Sequence, residues 1–315
     1  MAKLENSKLS VIGAGGVGTA TAYAALLRGS ARTVALYDVA TQKVEAEVAD
    51  LAHGSQFFHG RVIGGDDLAV VDGSDLVIIT AGARQKEGQT RLDLAGANIR
   101  LLEQIVPGVV EHAPDAIIVL VTNPVDVLTQ VATDLAGLAP GRVFGTGTML
   151  DSSRLRWRLA ERLGVSTSSI HALIVGEHGD TEFPLWSQAF VGPVPIADYV
   201  PVDAPPLSHD EFDRIAEEVK NAAYHVIAGK GSTNYAIGTT AARLAEAILG
   251  DEHVVVPVTS VLHDYRGIHG IALSVPSLVG GRGVEQVLDA PYDDDELRLL
   301  RDSAAAIAET RAKFS

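Results

Sequence analysis

The chain has 315 residues, no cysteine, and 25 Lys+Arg against 40 Asp+Glu, a net charge of −15 at pH 7. At roughly 100–200 residues per domain this length suits two domains, and 47% hydrophobic residues can fill their cores without disulfide or metal staples. The composition excludes thiolate nucleophiles, thiolate zinc sites and redox pairs, and its acidity argues against nucleic-acid partners, which require a basic face.

Residues 9–12, 33–37, 76–80 and 116–122 read as strands, and residues 17–28, 41–54, 90–111 and 125–135 as helices between them. Such alternation predicts parallel βαβ units, and strands that are apolar on both sides are expected where helices cover both faces of the sheet. After about residue 147 the pattern changes. A helix over 149–163 precedes apolar runs at 170–175 and 184–191, a Pro-rich connection at 200–206, and helices over 208–227 and 234–249. Strands at 254–263 and 271–275 and a helix over 293–313 complete the chain. The expected architecture is a Rossmann-type, doubly wound α/β domain over 1–147 followed by an α+β domain over 148–315. The acidic run at 293–296 is read as the start of the last helix, where carboxylates complement the helix dipole. No signal peptide is apparent and the apolar stretches fall far short of the ~20 residues that span a bilayer, so a cytoplasmic protein without membrane contact is expected.

The first strand runs into Gly13-Ala14-Gly15-Gly16-Val17-Gly18 and then a helix of small residues. This is G-x-G-x-x-G in a strand-turn-helix setting: Gly13 permits the tight turn, Gly15 lets a pyrophosphate approach the backbone, and Gly18 lets helix and strand pack closely. Asp38 ends the second strand about 20 residues later, where a carboxylate accepts the adenosine ribose hydroxyls. Asp38 also repels a 2′-phosphate, and Val39 and Ala40 offer no cation to offset it, so NAD is expected rather than NADP.

Four polar segments follow sheet strands or open a helix. His178 lies in Gly176-Glu177-His178-Gly179-Asp180-Thr181-Glu182. Asp151 and Arg154 stand three apart on a helix and share a face, which taken alone is a surface ion pair. Residues 81–91, with two glycines and Gln85 and Arg91, read as a flap over the carboxyl edge of the sheet, where doubly wound folds bind ligands. Thr122-Asn123-Pro124-Val125-Asp126 closes another strand.

Together these segments, with residues 231–238, resemble the L-lactate and malate dehydrogenase family over essentially the whole chain, its bacterial L-lactate branch in particular. The resemblance implies a proton donor and acceptor at His178, its partner at Asp151, and a bidentate grip by Arg154 on the substrate carboxylate. It implies that Arg91 polarises the carbonyl, that Asn123 hydrogen-bonds near the carbonyl and the nicotinamide, and that Thr233 lines the pocket. Val17, Thr80, Ala81 and Gly82 join Gly13, Gly15, Gly18, Asp38 and Asn123 as cofactor residues, no metal takes part, and the Asn123–Pro124 peptide is expected to be cis. Arg91 and Arg154 would supply the local positive charge that an anionic substrate requires in an acidic protein.

Gln85 separates the branches, because malate dehydrogenases carry arginine at the matching position to pair a second carboxylate, and an unpaired buried carboxylate costs several kcal/mol. Pyruvate and lactate are therefore the expected substrates. Malate, another L-2-hydroxy acid, or a non-catalytic NAD(H)-binding sensor or structural protein are the alternatives. Arg156 and His171 read by themselves as surface cations. The resemblance instead implies a fructose 1,6-bisphosphate site at a subunit interface, in a homotetramer.

Overall fold

The computed structural model describes residues 6–83 and 91–314, with the backbone alone at 91–93. The first half runs β1 (Lys8–Ile12), α1 (Gly16–Arg28), β2 (Thr33–Tyr37), α2 (Thr41–His53), β3 (Arg61–Gly65), β4 (Leu76–Ile79), α3 (Arg91–His112), β5 (Ile117–Leu120), α4 (Val125–Ala136) and β6 (Val143–Gly145). Its strands lie in the order 3-2-1-4-5-6, each parallel to its neighbours. That is the doubly wound order whose direction reverses between β1 and β4, and ligands bind over the carboxyl ends of strands at such a reversal. Side chains alternate across the sheet as a strand's two-residue period demands. Leu76 and Ile78 join a core with Ala22 and Leu26 of α1, whereas Val77 and Ile79 join Leu102 and Val106 of α3 and Leu128 of α4.

The second half comprises α5 (Met149–Leu163), the short strands β7 (Ile170–His171), β8 (Ile174–Val175), β9 (Phe183–Pro184), β10 (Phe190–Val191) and β11 (Val194–Pro195), then α6 (His209–Lys230), α7 (Tyr235–Leu249), β12 (Val254–Val261), β13 (Ala272–Gly280), β14 (Gly283–Val287) and α8 (Asp294–Ala312). Contrary to a clean division of the chain into two sheets, β12 pairs antiparallel with β6 through Thr259 and Gly145, so β12, β13 and β14 extend the parallel sheet to nine strands. Helix α7 also crosses back, placing Ala241, Ala245 and Ile248 in the same core as α1. A Cβ on Gly238 would sit 2.7 Å from the Ala20 backbone, so these two helices approach as closely as glycine allows.

Strand β13 continues past residue 275 through Pro276, which faces Pro257 of β12. Two opposed prolines cannot exchange N–H bonds, so they occupy a non-hydrogen-bonded pair, where no ladder bond between the strands is lost. Asp293 caps α8, accepting the Glu296 N–H at 2.8 Å while Glu296 accepts the Asp293 N–H at 3.0 Å. The acidic run is thus a capping box. No helix among the described residues is long and apolar enough to cross a membrane.

Candidate active site

At the carboxyl end of β1, Gly13 adopts φ +104°, a left-handed conformation that costs glycine little. A Cβ on Gly18 would lie 1.8 Å from the Gly13 carbonyl oxygen, so the turn and the first coil of α1 are in contact. Space over Gly15 is open, and Gly15 caps α1 without any side-chain hydrogen bond. The first N–H groups of the helix are therefore directed at a bare surface, which fits a pyrophosphate. Asp38 accepts the Ala14 N–H at 2.7 Å and the Ala40 N–H at 3.0 Å, tying the glycine loop to the start of α2. Lys43, one turn into α2, lies 3.9 Å from Asp38. Lys43 is thus a cation near Asp38 that the residues directly following it, Val39 and Ala40, do not reveal.

Thr80 donates its hydroxyl to the Ile12 carbonyl at 3.0 Å, joining the ends of β4 and β1 across the reversal. The chain then passes Ala81 and Gly82, where a Cβ would meet Thr122 Cγ2 at 2.5 Å. Asn98, buried in α3, accepts the Ala83 N–H at 2.7 Å and donates to the Asn123 carbonyl at 2.8 Å, bracing both strand ends. The Asn123–Pro124 peptide is cis as expected, and exposed Asn123 uses its Oδ1 to accept the Val125 N–H at 3.2 Å. Thr233 is half-buried in the turn between α6 and α7. The adjacent Asn234 faces the glycine loop, where its Cβ would meet a Cβ on Gly16 at 3.8 Å. Gln85 and the Arg91 side chain lie outside the described residues.

Asp151 and Arg154 form no ordinary surface pair. Asp151, 1% exposed, accepts Arg154 Nη1 on Oδ1 at 2.6 Å and contacts His178 Nδ1 through Oδ2 at 2.7 Å, so one carboxylate bridges a guanidinium and an imidazole. Helix α5 delivers Asp151 from its first turn, and Thr148, before the helix, anchors that end by donating to the Ile174 carbonyl at 2.6 Å. Gly176 begins the His178 loop at φ +95°, exchanging backbone hydrogen bonds with Ser274 of β13.

Two further carboxyl groups complete the cluster without having been assigned roles from sequence. Glu182 lies 3.8 Å from His178 Nδ1, and Asp126 of α4 accepts the His178 N–H at 2.8 Å. Burial pulls the imidazole pKa down, but the charge and hydrogen bond of Asp151, reinforced by Glu182 and Asp126, outweigh it and raise the value to about 9. Although burial opposes ionisation of Asp151, His178 and Arg154 hold its pKa below the usual carboxylate value. Burial and the nearby Asp151 charge push Glu182 upward. At neutral pH His178 is consequently a protonated acid, with Nδ1 committed to Asp151 and Nε2 left to deliver a proton. Asp151, His178 and Glu182 also bring three ligand-type atoms within 4.8 Å, two of them joined by the His178–Asp151 hydrogen bond.

Residues 7–145 match the lactate/malate dehydrogenase NAD binding domain, and residues 148–313 the lactate/malate dehydrogenase alpha/beta C-terminal domain. The chain is 49% identical over 313 residues to an L-lactate dehydrogenase of Bifidobacterium animalis subsp. lactis, covering 99% of this chain and 98% of that protein. It is 42% identical to L-lactate dehydrogenase 1 of Clostridium acetobutylicum, covering 97% and 98% respectively. Among solved structures, the minor L-lactate dehydrogenase of Enterococcus mundtii, in its ligands-bound form, superposes with a TM-score of 0.93 at 38% identity, covering 98% of this chain and 99% of that one.

Proposed function

The chain belongs to the lactate/malate dehydrogenase family, and from that premise we propose that it interconverts pyruvate and L-lactate. The observation that carries the reading is the buried Asp151 bridge between His178 and Arg154. Bound NADH supplies a hydride to the substrate carbonyl carbon. Negative charge then develops on the carbonyl oxygen, and a proton must arrive there. His178 gives that proton from Nε2, while Asp151 holds the tautomer and stabilises the imidazolium. Arg154 spends one of its five N–H donors on Asp151, leaving a fork for the substrate carboxylate. Arg91 polarises the carbonyl, Asn123 orients it, and Thr233 lines the pocket. In the reverse direction neutral His178 accepts the lactate hydroxyl proton.

For the cofactor, Gly13, Gly15, Val17 and Gly18 take the pyrophosphate, Asp38 takes the adenosine ribose, and Thr80, Ala81, Gly82 and Asn123 line the remainder. Gln85 assigns the substrate, since a neutral amide cannot pair the second carboxylate of oxaloacetate. A panel of pyruvate, oxaloacetate and 2-oxoisocaproate, followed by NADH absorbance, tests this assignment. Pyruvate is expected to lead oxaloacetate by about tenfold or more in kcat/KM, and Gln85→Arg to narrow or reverse the gap, on the several-kcal/mol cost of an unpaired buried carboxylate. Equal activity on the two substrates rejects it.

The reading extends to a homotetramer activated by fructose 1,6-bisphosphate through Arg156 and His171. Exposed Tyr23 and Leu27 on α1, Trp157 on α5 and Tyr235 on α7 are apolar surface of the kind that subunit contacts cover. Arg156 donates Nε to the carbonyl of Ala172 at 2.9 Å, beside exposed His171, and lines a cavity of about 570 Å³ with Ser168 and Arg243. Arg156 from two subunits meeting across an interface would repel, and a bisphosphate would relieve that repulsion, with His171 as a further hydrogen-bond donor. Pyruvate titrations at low enzyme, with and without the bisphosphate, should show a lower apparent KM with it that Arg156→Gln abolishes. An unchanged KM at every enzyme concentration returns both residues to the surface. The proposed setting is the cytoplasm, a reducing compartment in which a chain without cysteine forgoes nothing.

A further inference from the structure

Asp126 is 3% exposed in the first turn of α4, and both of its carboxylate oxygens are engaged. Oδ2 accepts the backbone N–H of His178 at 2.8 Å, and Oδ1 accepts the hydroxyl of Thr259 on β12 at 2.5 Å. Three elements distant in sequence thus converge on one carboxylate: α4, the loop carrying His178, and β12. The charged neighbours facing it are His178 and Glu177, and burial raises its pKa to about 6 despite the hydrogen bonds that favour ionisation. Among the described residues no lysine or arginine pairs with it, so His178 is its one cationic counterpart.

A buried carboxylate in this position is expensive as a purely structural device. An asparagine could accept the His178 N–H through its amide oxygen and donate to Thr259, whose hydroxyl can turn to accept. The hydrogen bonds therefore do not require the charge. What an anion adds is negative charge beside the imidazole, on a carboxylate that is itself shielded from water. The same turn carries Asn123 three residues earlier, on a backbone braced by Asn98, so the strand end on the cofactor side and the anchor of the imidazole belong to one continuous segment.

We propose that Asp126 is a positioning residue of the reaction, which fixes His178 through its backbone amide relative to the Asn123 end of the turn and helps hold the imidazole protonated. This rests on the reading of His178 as proton donor. Around His178 the other groups are Asp151 and Arg154 from α5 and Glu182 from its own loop, with Lys220 of α6 acting on Glu182. All of these residues remain in place when Asp126 alone is substituted.

The test uses the full-length enzyme and three substitutions. Asp126→Asn should lower kcat for pyruvate by about tenfold, less than the roughly 10²–10⁴ expected on losing the general acid itself, with the KM for NADH held within about twofold. It should also move the midpoint of the pH profile of reduction to lower pH. Asp126→Ala should lower kcat further. Asp126→Glu, which retains the charge but displaces it by one methylene, should lower kcat while leaving the midpoint in place. Histidine labelled at ring Cε1 and followed by NMR, with His178→Asn to assign the signal, reads the same midpoint without turnover.

If the Asn variant keeps both kcat and the His178 midpoint, Asp126 is a packing residue and the proposal fails. Should the Asn and Ala chains not fold, the Glu variant decides, since wild-type kcat in it overturns the positioning role. An unsubstituted enzyme that reduces no 2-oxo acid would instead defeat the functional reading, and the NMR midpoint of His178 would still report on Asp126.

Discussion

The nucleotide end of the sheet and the His178 cluster lie on the same molecule but are built by opposite means. The nucleotide end is made of backbone. Gly13, Gly15 and Gly18 act by lacking side chains: backbone occupies the space beside Gly13 and Gly18, and the space over Gly15 is left open. The cluster is made of side chains, with Asp126, Asp151 and Glu182 arranged around one imidazole from α4, α5 and the histidine's own loop. The glycine loop should therefore fail above all on added volume, and the cluster above all on changes of charge.

The largest effect is expected where a proton is lost from the chemistry. His178→Asn, nearly isosteric, should lower kcat for pyruvate by about 10²–10⁴ while NADH, titrated by fluorescence, binds as before; retention of most activity would show that another group supplies the proton. In the unsubstituted enzyme, pyruvate reduction needs the imidazolium, so kcat/KM should fall as pH rises through about 9. Lactate oxidation needs the neutral ring and should fall as pH drops below the same value. A profile centred near 6.5, the ordinary histidine value, would mean that the surrounding carboxylates do not act on the ring.

A smaller effect is expected at the nucleotide end. Gly18→Ala drives a methyl group toward the Gly13 carbonyl, and overpacking of this kind costs about 1–3 kcal/mol. The expected outcome is an NADH Kd about tenfold higher together with a lower Tm, and an unchanged Kd would show that the turn yields freely. The smallest effect is reserved for charge at that end. Lys43 is half-exposed and 3.9 Å from Asp38, and surface pairs contribute about 0–1 kcal/mol. Lys43→Ala should change the KM for NADH by less than about fivefold; a larger change would erase the contrast between the two regions.

The contrast also explains what could be read from the amino-acid order. The glycine loop is contiguous, so its spacing, its flanking strand and Asp38 were all visible, as was α5, whose bounds at 149 and 163 match the expected helix. The cluster is not contiguous. Asp126 closes the Thr122 to Asp126 segment, yet nothing local tells a carboxylate capping a helix from one that grips a histidine amide 52 positions away. Asn98 and Glu182 are hidden for the same reason, since their partners come from other elements or from a loop whose closure the order of residues does not show. Among the strands, β3 was missed because RVIGG carries two glycines and little apolar alternation, and β6 because three residues have no period. The end of β13 was missed because Pro276 looks like a stop until Pro257 is placed opposite it.

The junction of β6 with β12 bears on any attempt to move the nucleotide module into another protein. A fragment cut after residue 147 would leave β6 as a raw edge, with hydrogen-bonding groups that another chain can pair. It would also strip Ala241, Ala245 and Ile248 from the face of the sheet and from α1, exposing an apolar surface large enough to drive self-association. A graft that behaves as a soluble binder must therefore carry α7 and the β12–β13 hairpin with it, although both lie about a hundred residues beyond the apparent boundary. For chimeras, the transplantable unit is the continuous sheet with both of its helical covers, and its parts are not consecutive in the chain.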